Sequence, residues 1–497
     1  MLRFGMASFA CKGVGDSQIS QAMTPPRLQS AKLANIELAV SKKMRLDGAP
    51  PLAIHAFIQN LRRWQLGHEA YVPEASLASL GKIPTFSLTR KYVPLGKSKA
   101  ARVVLIKLNG GLGTNMGLTK AKSLLEARDH LTFLDLIVHQ VEYLRKQTKT
   151  SIPLLFMDSF STHRDTLVAL AEKHPDFHND VFLPLSFCQH RVPKLDPISG
   201  MPVAHHAQPD DAWCPPGHAD LYCALQTTGL LQKLLRQGYA YAFVSNADNL
   251  GASLDFGILG YLTHHKLPFL MEVTPRTESD KKGGHLARSA QNGRLILREL
   301  AQCPPSETAD FQNIRKHRFF NTNNLWMDLR AVAKMLESHD GVPPFPLLVN
   351  HKREVPSDKK SPPVVQLESA MGSAISEFDR AQALVVPRTR FAPVKMTDDL
   401  LNIRSDAYHM APDSRVELAP ARHGIPPEIR LDSRFYAILS DFDWRFPMGQ
   451  LSLKRCQSLK IGGDFTFGKD CRANGRVFLS TTGNESVFIP SRTRLGK

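Results

Sequence analysis

The sequence predicts an α/β protein: a mixed, mostly parallel sheet covered by helices, followed by a C-terminal parallel β-helix-type segment. Three observations predict it. From residue 103, short apolar strands alternate with helical stripes, the pattern of a sheet joined by right-handed crossovers. The first strand empties into a glycine-rich loop. Near the C-terminus an apolar residue recurs at every sixth position with glycines between, the hexapeptide signature of a parallel β-helix.

Residues 1–40 read as a basic, disordered tail. The first 36 residues hold one acid, Asp16, against Arg3, Lys12, Arg27 and Lys32, with four serines interspersed. Loose termini are common, and an organellar transit peptide is the alternative. Residues 41–100 read as a helical region, because Ala53, Ile54, Phe57, Ile58 and Leu61 share one helix face. Residues 101–400 carry the alternating core. Val103–Leu108 is its first strand. Thr132 to Asp135 forms a capping box, and Leu134, Ile137, Val138, Val141 and Leu144 continue as a stripe. Ile152–Met157 is the next strand, and Ser161 is the expected cap of a helix reaching about Glu172. A helical pattern runs from Leu221 to Leu235. Tyr241–Ser245 and Phe269–Thr274 are further strands. In the C-terminal region, 401–497, Leu459, Phe465, Cys471 and Val477 are spaced by six, as are Ile461, Phe467, Ala473 and Leu479. The uncovered end of such a coil is the expected place for a homo-oligomer contact.

Composition narrows the class. The 497 residues are 42% hydrophobic and 22% charged, ordinary values for a globular chain. No apolar run is long enough to cross a bilayer, so no membrane partner is expected, and no secretory signal is read. Seven scattered cysteines without a C-x-x-C argue against a disulfide framework or zinc ribbon and favour a reducing, cytoplasmic setting. The net charge of +17 raises nucleic acid as a partner. The charges are dispersed along the chain, without a basic arm or helix-turn-helix pattern, so a basic enzyme acting on anionic substrates is the better expectation.

The glycine loop carries the first chemical inference. Gly110, Gly111, Gly113 and Gly117 follow the strand, and Lys120 and Lys122 come next. Bare backbone N–H groups and a mobile ammonium suit a polyphosphate. The spacing excludes two familiar loops. Gly117 is followed by Leu118, not the Lys-Ser/Thr of a Walker loop, and the third glycine of G-x-G-x-x-G falls on Met116. Gly217 and His218, after the rigid Pro215-Pro216, offer N–H groups and an imidazole to an anion. Asp248 ends the strand 241–245, where ligands bind in open α/β sheets, and is a plausible Mg²⁺ ligand; an Asx turn built by Asn246 or Asn249 is the structural alternative. Phe320–Trp326 interleaves Asn321, Asn323 and Asn324 with aromatics, which suits sugar hydroxyls. Val386–Lys395 places Arg388, Arg390 and Lys395 on a proline-braced segment aimed at a fixed target.

Ten ordered strings, KLNGGLGTNMG, AKS, FCQHRVPKL, WCPPGHADLY, FVSNADNLGA, MEVTPRT, DKKGGHL, FNTNNLW, VVQLESAMGSAI and VPRTRFAPVK, together resemble the eukaryotic-type UTP–glucose-1-phosphate uridylyltransferases (UDP-glucose pyrophosphorylases). The resemblance spans residues 45–480 and implies a Rossmann-like nucleotidyltransferase domain followed by a left-handed parallel β-helix-type domain. It implies UTP and glucose 1-phosphate as partners and Mg²⁺ as cofactor. Residue by residue, it puts Leu108, Asn109, Gly110, Gly111 and Gly113 around the nucleotide, Lys122 on the triphosphate, and Gln189 and Gly217 on uracil. His218 would meet the sugar phosphate, Asn246 and Asn323 the sugar, and Asp248 nucleotide and metal. Lys395, with Lys122, would be catalytic. There is one departure. Where the family has Cys-Lys-Gly-Pro-Lys-Ser, this chain has Leu118-Thr119-Lys120-Ala121-Lys122-Ser123, which keeps only the final Lys-Ser. The rival expectations are a UDP-sugar or UDP-N-acetylhexosamine pyrophosphorylase of broader specificity and a catalytically silent scaffold of the same fold.

Overall fold

In the computed structural model, which describes residues 30–67, 71–180, 182–204, 209–355, 358, 360–481 and 485–496, the strand Val103–Leu108 sits inside the principal sheet with parallel neighbours on both sides. The order across the sheet is 77–78, 285–289, 319–328, 241–246, 103–108, 154–158, 186–188, with 269–275, 382–385 and 295–298 attached off this path. The sheet is therefore mixed. The side holding the glycine loop is parallel, whereas Phe319–Asp328 runs antiparallel to both Tyr241–Asn246 and Phe269–Pro275.

Burial on both faces explains why Val103–Leu108 reads as a continuous β-branched run rather than an alternation. Val103 and Leu105 join one core with helices Phe133–Thr148 and Phe256–His264 and with C-terminal residues out to Val477. Val104 and Ile106 join a second core with helices Asp220–Thr227 and Leu329–Glu337. The expected capping box is formed: Asp135 N donates to Thr132 Oγ1 at 3.1 Å, and Thr132 N to Asp135 Oδ2 at 2.8 Å.

Several elements differ from the sequence expectation. Ser161 is not a cap; the helix runs His163–Lys173 from Thr162, which makes no side-chain cap bond. The pattern 221–235 is two helices, Asp220–Thr227 and Leu230–Arg236, because Gly229 between them has φ +69°, a left-handed value that interrupts helical geometry. The tail expected over 1–40 ends earlier. Ser30–Leu46 is a helix whose Ile36, Val40 and Met44, spaced by four, are buried against helix Pro51–Gln65. Residues 1–29, with the transit-peptide alternative, lie outside the described residues. The boundary at 400 falls inside helix Thr397–Arg404, because that helix shares the first core with the sheet.

At the C-terminus Ser452–Gly462 pairs in parallel with Arg472–Ser480, Leu459 opposite Val477 and Ile461 opposite Leu479. Each offset is three six-residue units, so the repeat predicts the register. Phe465–Phe467 pairs in parallel with Val487–Ile489. The inward residues Leu459, Phe465, Cys471 and Val477 are all buried.

Candidate active site

The parallel strands 154–158 and 241–246 leave opposite edges of Val103–Leu108, so the carboxyl end of that strand is the topological switch point where open α/β sheets bind ligands. The glycine loop is built there. Asn109 N donates to Met157 O, and the Asn109 amide is buried between Asp158 Oδ1 (2.7 Å) and Thr166 Oγ1 (2.9 Å). This side chain is thus consumed in holding the loop to the next strand. Gly110 lies against Gln189: an added Cβ would stand 2.4 Å from its Nε2. Gly113 and Gly117 adopt φ +70° and +72°, so two glycines supply backbone values that other residues reach only with strain. Gly111 O accepts from Lys122 N at 3.0 Å, folding Lys122 back over the loop.

That fold-back brings two remote motifs together. Lys122 Nζ contacts Asp248 Oδ2 at 2.6 Å, with both side chains largely buried. The second carboxylate oxygen, Oδ1, is buried without a partner among the described residues. An anionic oxygen left bare in this way fits a hard cation, and one carboxylate completed by phosphate and water oxygens is the usual Mg²⁺ arrangement. The residues present therefore fit the metal that the resemblance implies.

Lys395 reaches the same place through the backbone. Pro393 forms an antiparallel bridge with Asn249, Val394 N donates to Asp248 O at 3.2 Å, and Ala392 N donates to Asn249 Oδ1 at 2.9 Å. Asp399 accepts from Lys395 N at 2.8 Å, and its carboxyl, raised by burial, feels both Lys122 and Lys395. Of the three cations on this segment, only Lys395 is exposed. Arg390 is buried against Glu272 at 2.6 Å, and Arg388 is ion-paired to Asp280. The two arginines hold the segment in place and are not aimed at a ligand.

On the opposite wall, Gly217 has φ +85°, and a Cβ there would lie 2.5 and 2.6 Å from Ser369 O and N. Ala219 N donates to Ser369 O, and Ser369 N donates to Pro216 O, so the turn has no room for a side chain. Gly217→Ala is expected to cost about 1–3 kcal/mol, read as a lower urea midpoint. His218 Nδ1 accepts from Met371 N at 2.9 Å, which leaves the ring proton of the neutral imidazole on Nε2. Burial, then the Lys395 charge, pull its pKa down to about 4. Contacts thus link Gln189 to Gly110, Lys122 to Gly111 and Asp248, and Asp248 to the Lys395 segment, and His218 feels the charge of Lys395.

Asn323 lies where strand 319–328 slips register against 269–275, at φ +58°. Its Oδ1 accepts from Asn321, and Asn324 is buried against Glu272. Much of the asparagine string is therefore architectural. Sequence reasoning missed Glu299, whose carboxyl is raised by burial and faces Lys395; Gly284 leaves the space it fills, since a Cβ there would meet Glu299 Oε1 at 2.3 Å. It missed Asp399 and Ser369 as well. Ser369 lies in the string VVQLESAMGSAI, but neither Glu299 nor Asp399 lies in any of the ten strings.

A glycine-rich loop at the switch point of parallel strands, with Lys122 paired to Asp248 beside it, is the arrangement of a nucleotide-handling α/β enzyme. The chain belongs to the UTP–glucose-1-phosphate uridylyltransferase family, whose model matches residues 73–473. It is similar to the UTP–glucose-1-phosphate uridylyltransferases of Astragalus penduliflorus (40% identity over 79% of this chain and 81% of the relative) and Saccharomyces cerevisiae (39%, 80% and 78%). Among solved structures it resembles the UDP-glucose phosphorylase of Trypanosoma brucei (TM-score 0.87, 41% identity, 93% of this chain and 98% of that one). It also resembles a variant UDP-glucose pyrophosphorylase of Leishmania major in complex with UDP-glucose (0.86, 39%, 94% and 98%).

Proposed function

We propose that this protein transfers a uridylyl group from UTP to glucose 1-phosphate, giving UDP-glucose and pyrophosphate. The observation that carries the reading is the Lys122–Asp248 contact beside the Lys395 segment, in a chain of this family. Both substrates are polyanions, so their approach is the principal barrier. A phosphate oxygen of glucose 1-phosphate attacks the α-phosphorus of UTP in line; the bond to the bridging oxygen breaks, and pyrophosphate leaves with the electron pair. The nucleophile is already ionised near neutral pH, so no general base is required. Rate then comes from positioning and charge neutralisation.

The backbone amides of 110–113 cradle phosphate, and Leu108, Gln189 and Gly217 enclose the base. His218 donates from Nε2 to the sugar phosphate, and Asn246 and Asn323 meet sugar hydroxyls. Asp248 would hold Mg²⁺, which would supply neutralisation of phosphate charge. Lys122 covers the triphosphate, and Lys395 faces the charge that grows during transfer. The C-terminal parallel coils are read as a left-handed β-helix, supported by the three-unit register, with a homo-oligomer contact at the open end. The cysteines are unpaired among the described residues, which supports a cytoplasmic setting. No helix among the described residues is long and apolar enough to cross a membrane.

The test is pyrophosphate release by the purified protein with UTP, Mg²⁺ and a panel of sugar 1-phosphates. Glucose 1-phosphate should be used far better than N-acetylglucosamine 1-phosphate; the reverse order rejects the reading. A pH prediction follows from His218. Its imidazole stays neutral in the folded chain down to about pH 4, whereas the unfolded chain takes up that proton near 6.5. The unfolded state binds more protons between these values, so stability is full above pH 6.5 and is lost as pH falls toward 4. Between pH 7 and 5 the expected loss is about 2 kcal/mol, measured by urea unfolding as the difference from His218→Asn.

A further inference from the structure

Behind the turn that presents His218 lies a separate cavity of about 280 Å³. It is walled by helix Pro51–Gln65 (Phe57, Asn60, Arg63), helix Asp220–Thr227 (Tyr222) and the segment 341–345 (Phe345). The volume is at the small end for ligand sites, enough for one or two fused rings. The polar groups divide into two kinds. His190 Nδ1 contacts Asp220 Oδ1 at 2.9 Å, and His190 Nε2 contacts Thr227 Oγ1 at 3.0 Å. Cys223 is a buried thiol whose pKa is pushed up by burial. These three donors lie within 4.8 Å of one another, but they are satisfied or protonated and do not ask for a metal.

Arg63 is different. Its Nη1 donates to Phe345 O at 2.6 Å, and among the described residues it has no carboxylate partner. Its neighbour Arg62 has one, Glu37. Burial lowers the Arg63 pKa. A partly buried guanidinium with spare donors, in a cavity that aromatic residues help to line, is complementary to a flat organic anion.

We propose that this cavity binds a small aromatic carboxylate, with the carboxylate on Arg63 and the ring against the wall to which Phe57, Tyr222 and Phe345 contribute, and that its occupancy is coupled to the nucleotide-sugar site. The coupling half rests on the function proposed above. The physical link is short. Pro216, Ala219 and Ser369 line the cavity and are the residues whose backbone bonds fix Gly217 and His218. His190, also in the wall, directly follows Gln189. An occupant presses on the back of the turn whose front meets substrate, so each ligand changes the affinity of the other by the same factor.

The test uses the whole chain and naphthalene-2-carboxylate as probe, with naphthalene-2-carboxamide as its neutral counterpart, in isothermal titration. The carboxylate should bind with one-to-one stoichiometry at millimolar strength or tighter, and the carboxamide at least tenfold more weakly. Arg63→Met should erase that difference, and Ala56→Trp, which fills the cavity, should abolish binding of both. Equal binding of the two probes, or unchanged binding by Ala56→Trp, overturns the site. UDP-glucose affinity, titrated with and without saturating carboxylate, should change at least threefold in the wild type and not in Ala56→Trp. No change in the wild type overturns the coupling. Failure of the apo protein to bind UDP-glucose at all would strike the proposed function instead and leave the cavity result standing.

Discussion

Lys395→Ala is expected to lower kcat by on the order of 10²–10³ while KM for UTP and glucose 1-phosphate stays within a few fold. The size is that of removing one charge-stabilising group positioned for the transition state. The split between kcat and KM follows from where the ammonium stands. It is exposed, and no carboxylate among the described residues holds it, whereas Lys122 is already engaged by Asp248. Yet its backbone is fixed by the Asp248–Val394 and Asp399–Lys395 bonds. A fixed main chain with a free charged tip loses little binding when the tip is removed, but it loses the countercharge needed as the bridging oxygen departs. Lys395→Arg should recover part of the rate, because it restores charge with a different shape. Steady-state kinetics giving near-normal kcat for Lys395→Ala would reject the assignment.

Glu272→Ala is expected to destabilise the folded protein by about 3–5 kcal/mol, the usual cost of stripping one partner from a buried ion pair. Glu272 is fully buried. It accepts from Arg390 Nη2 at 2.6 Å and Nε at 2.8 Å, from Trp326 Nε1 at 2.8 Å and from Asn324 Nδ2 at 3.1 Å. Removing the carboxylate leaves a buried guanidinium and two N–H groups unmatched. The damage should not stay local. Arg390 O and Asn249 share hydrogen bonds at the root of the Lys395 segment, and Lys107, lowered to about 7 by burial and the Arg390 charge, ties Ser245 to Ala252 at the two ends of the Asp248 loop. Urea unfolding gives the stability change. Glu272→Ala combined with Arg390→Met should recover part of the loss, since it removes the stranded charge; no recovery would show that packing, not charge, dominates.

Most of the fold was legible because its signals are local. The run Val103–Leu108 and the Thr132–Asp135 box each lie within a short window and report a strand and a cap that the backbone adopts, and the six-residue C-terminal period matches the offset of the pairs Leu459–Val477 and Ile461–Leu479. The misses have equally plain causes. Gly229 reads as a tolerable helix glycine until its φ is known. Ile36, Val40 and Met44 become a buried face only where helix Ser30–Leu46 packs on helix Pro51–Gln65. The proline-braced cations looked alike in one dimension, yet two of the three are buried anchors.

By itself the sequence determined which chemistry-bearing groups exist, and in what order: bare amides after a strand, a Gly-His turn, an acid at a strand end, a lysine after a proline. Tertiary structure alone decided which of them meet. The pairing of Lys122 with Asp248, the crowding of Gly217 by Ser369, the burial of Arg390 on Glu272 and the electrostatic reach of Glu299 to Lys395 join residues about 100 to 150 positions apart. Periodicity and capping act over one or two turns of chain and leave a trace in neighbouring residues; outside the C-terminal repeat, contact across a sheet depends on strand order and register, and leaves none.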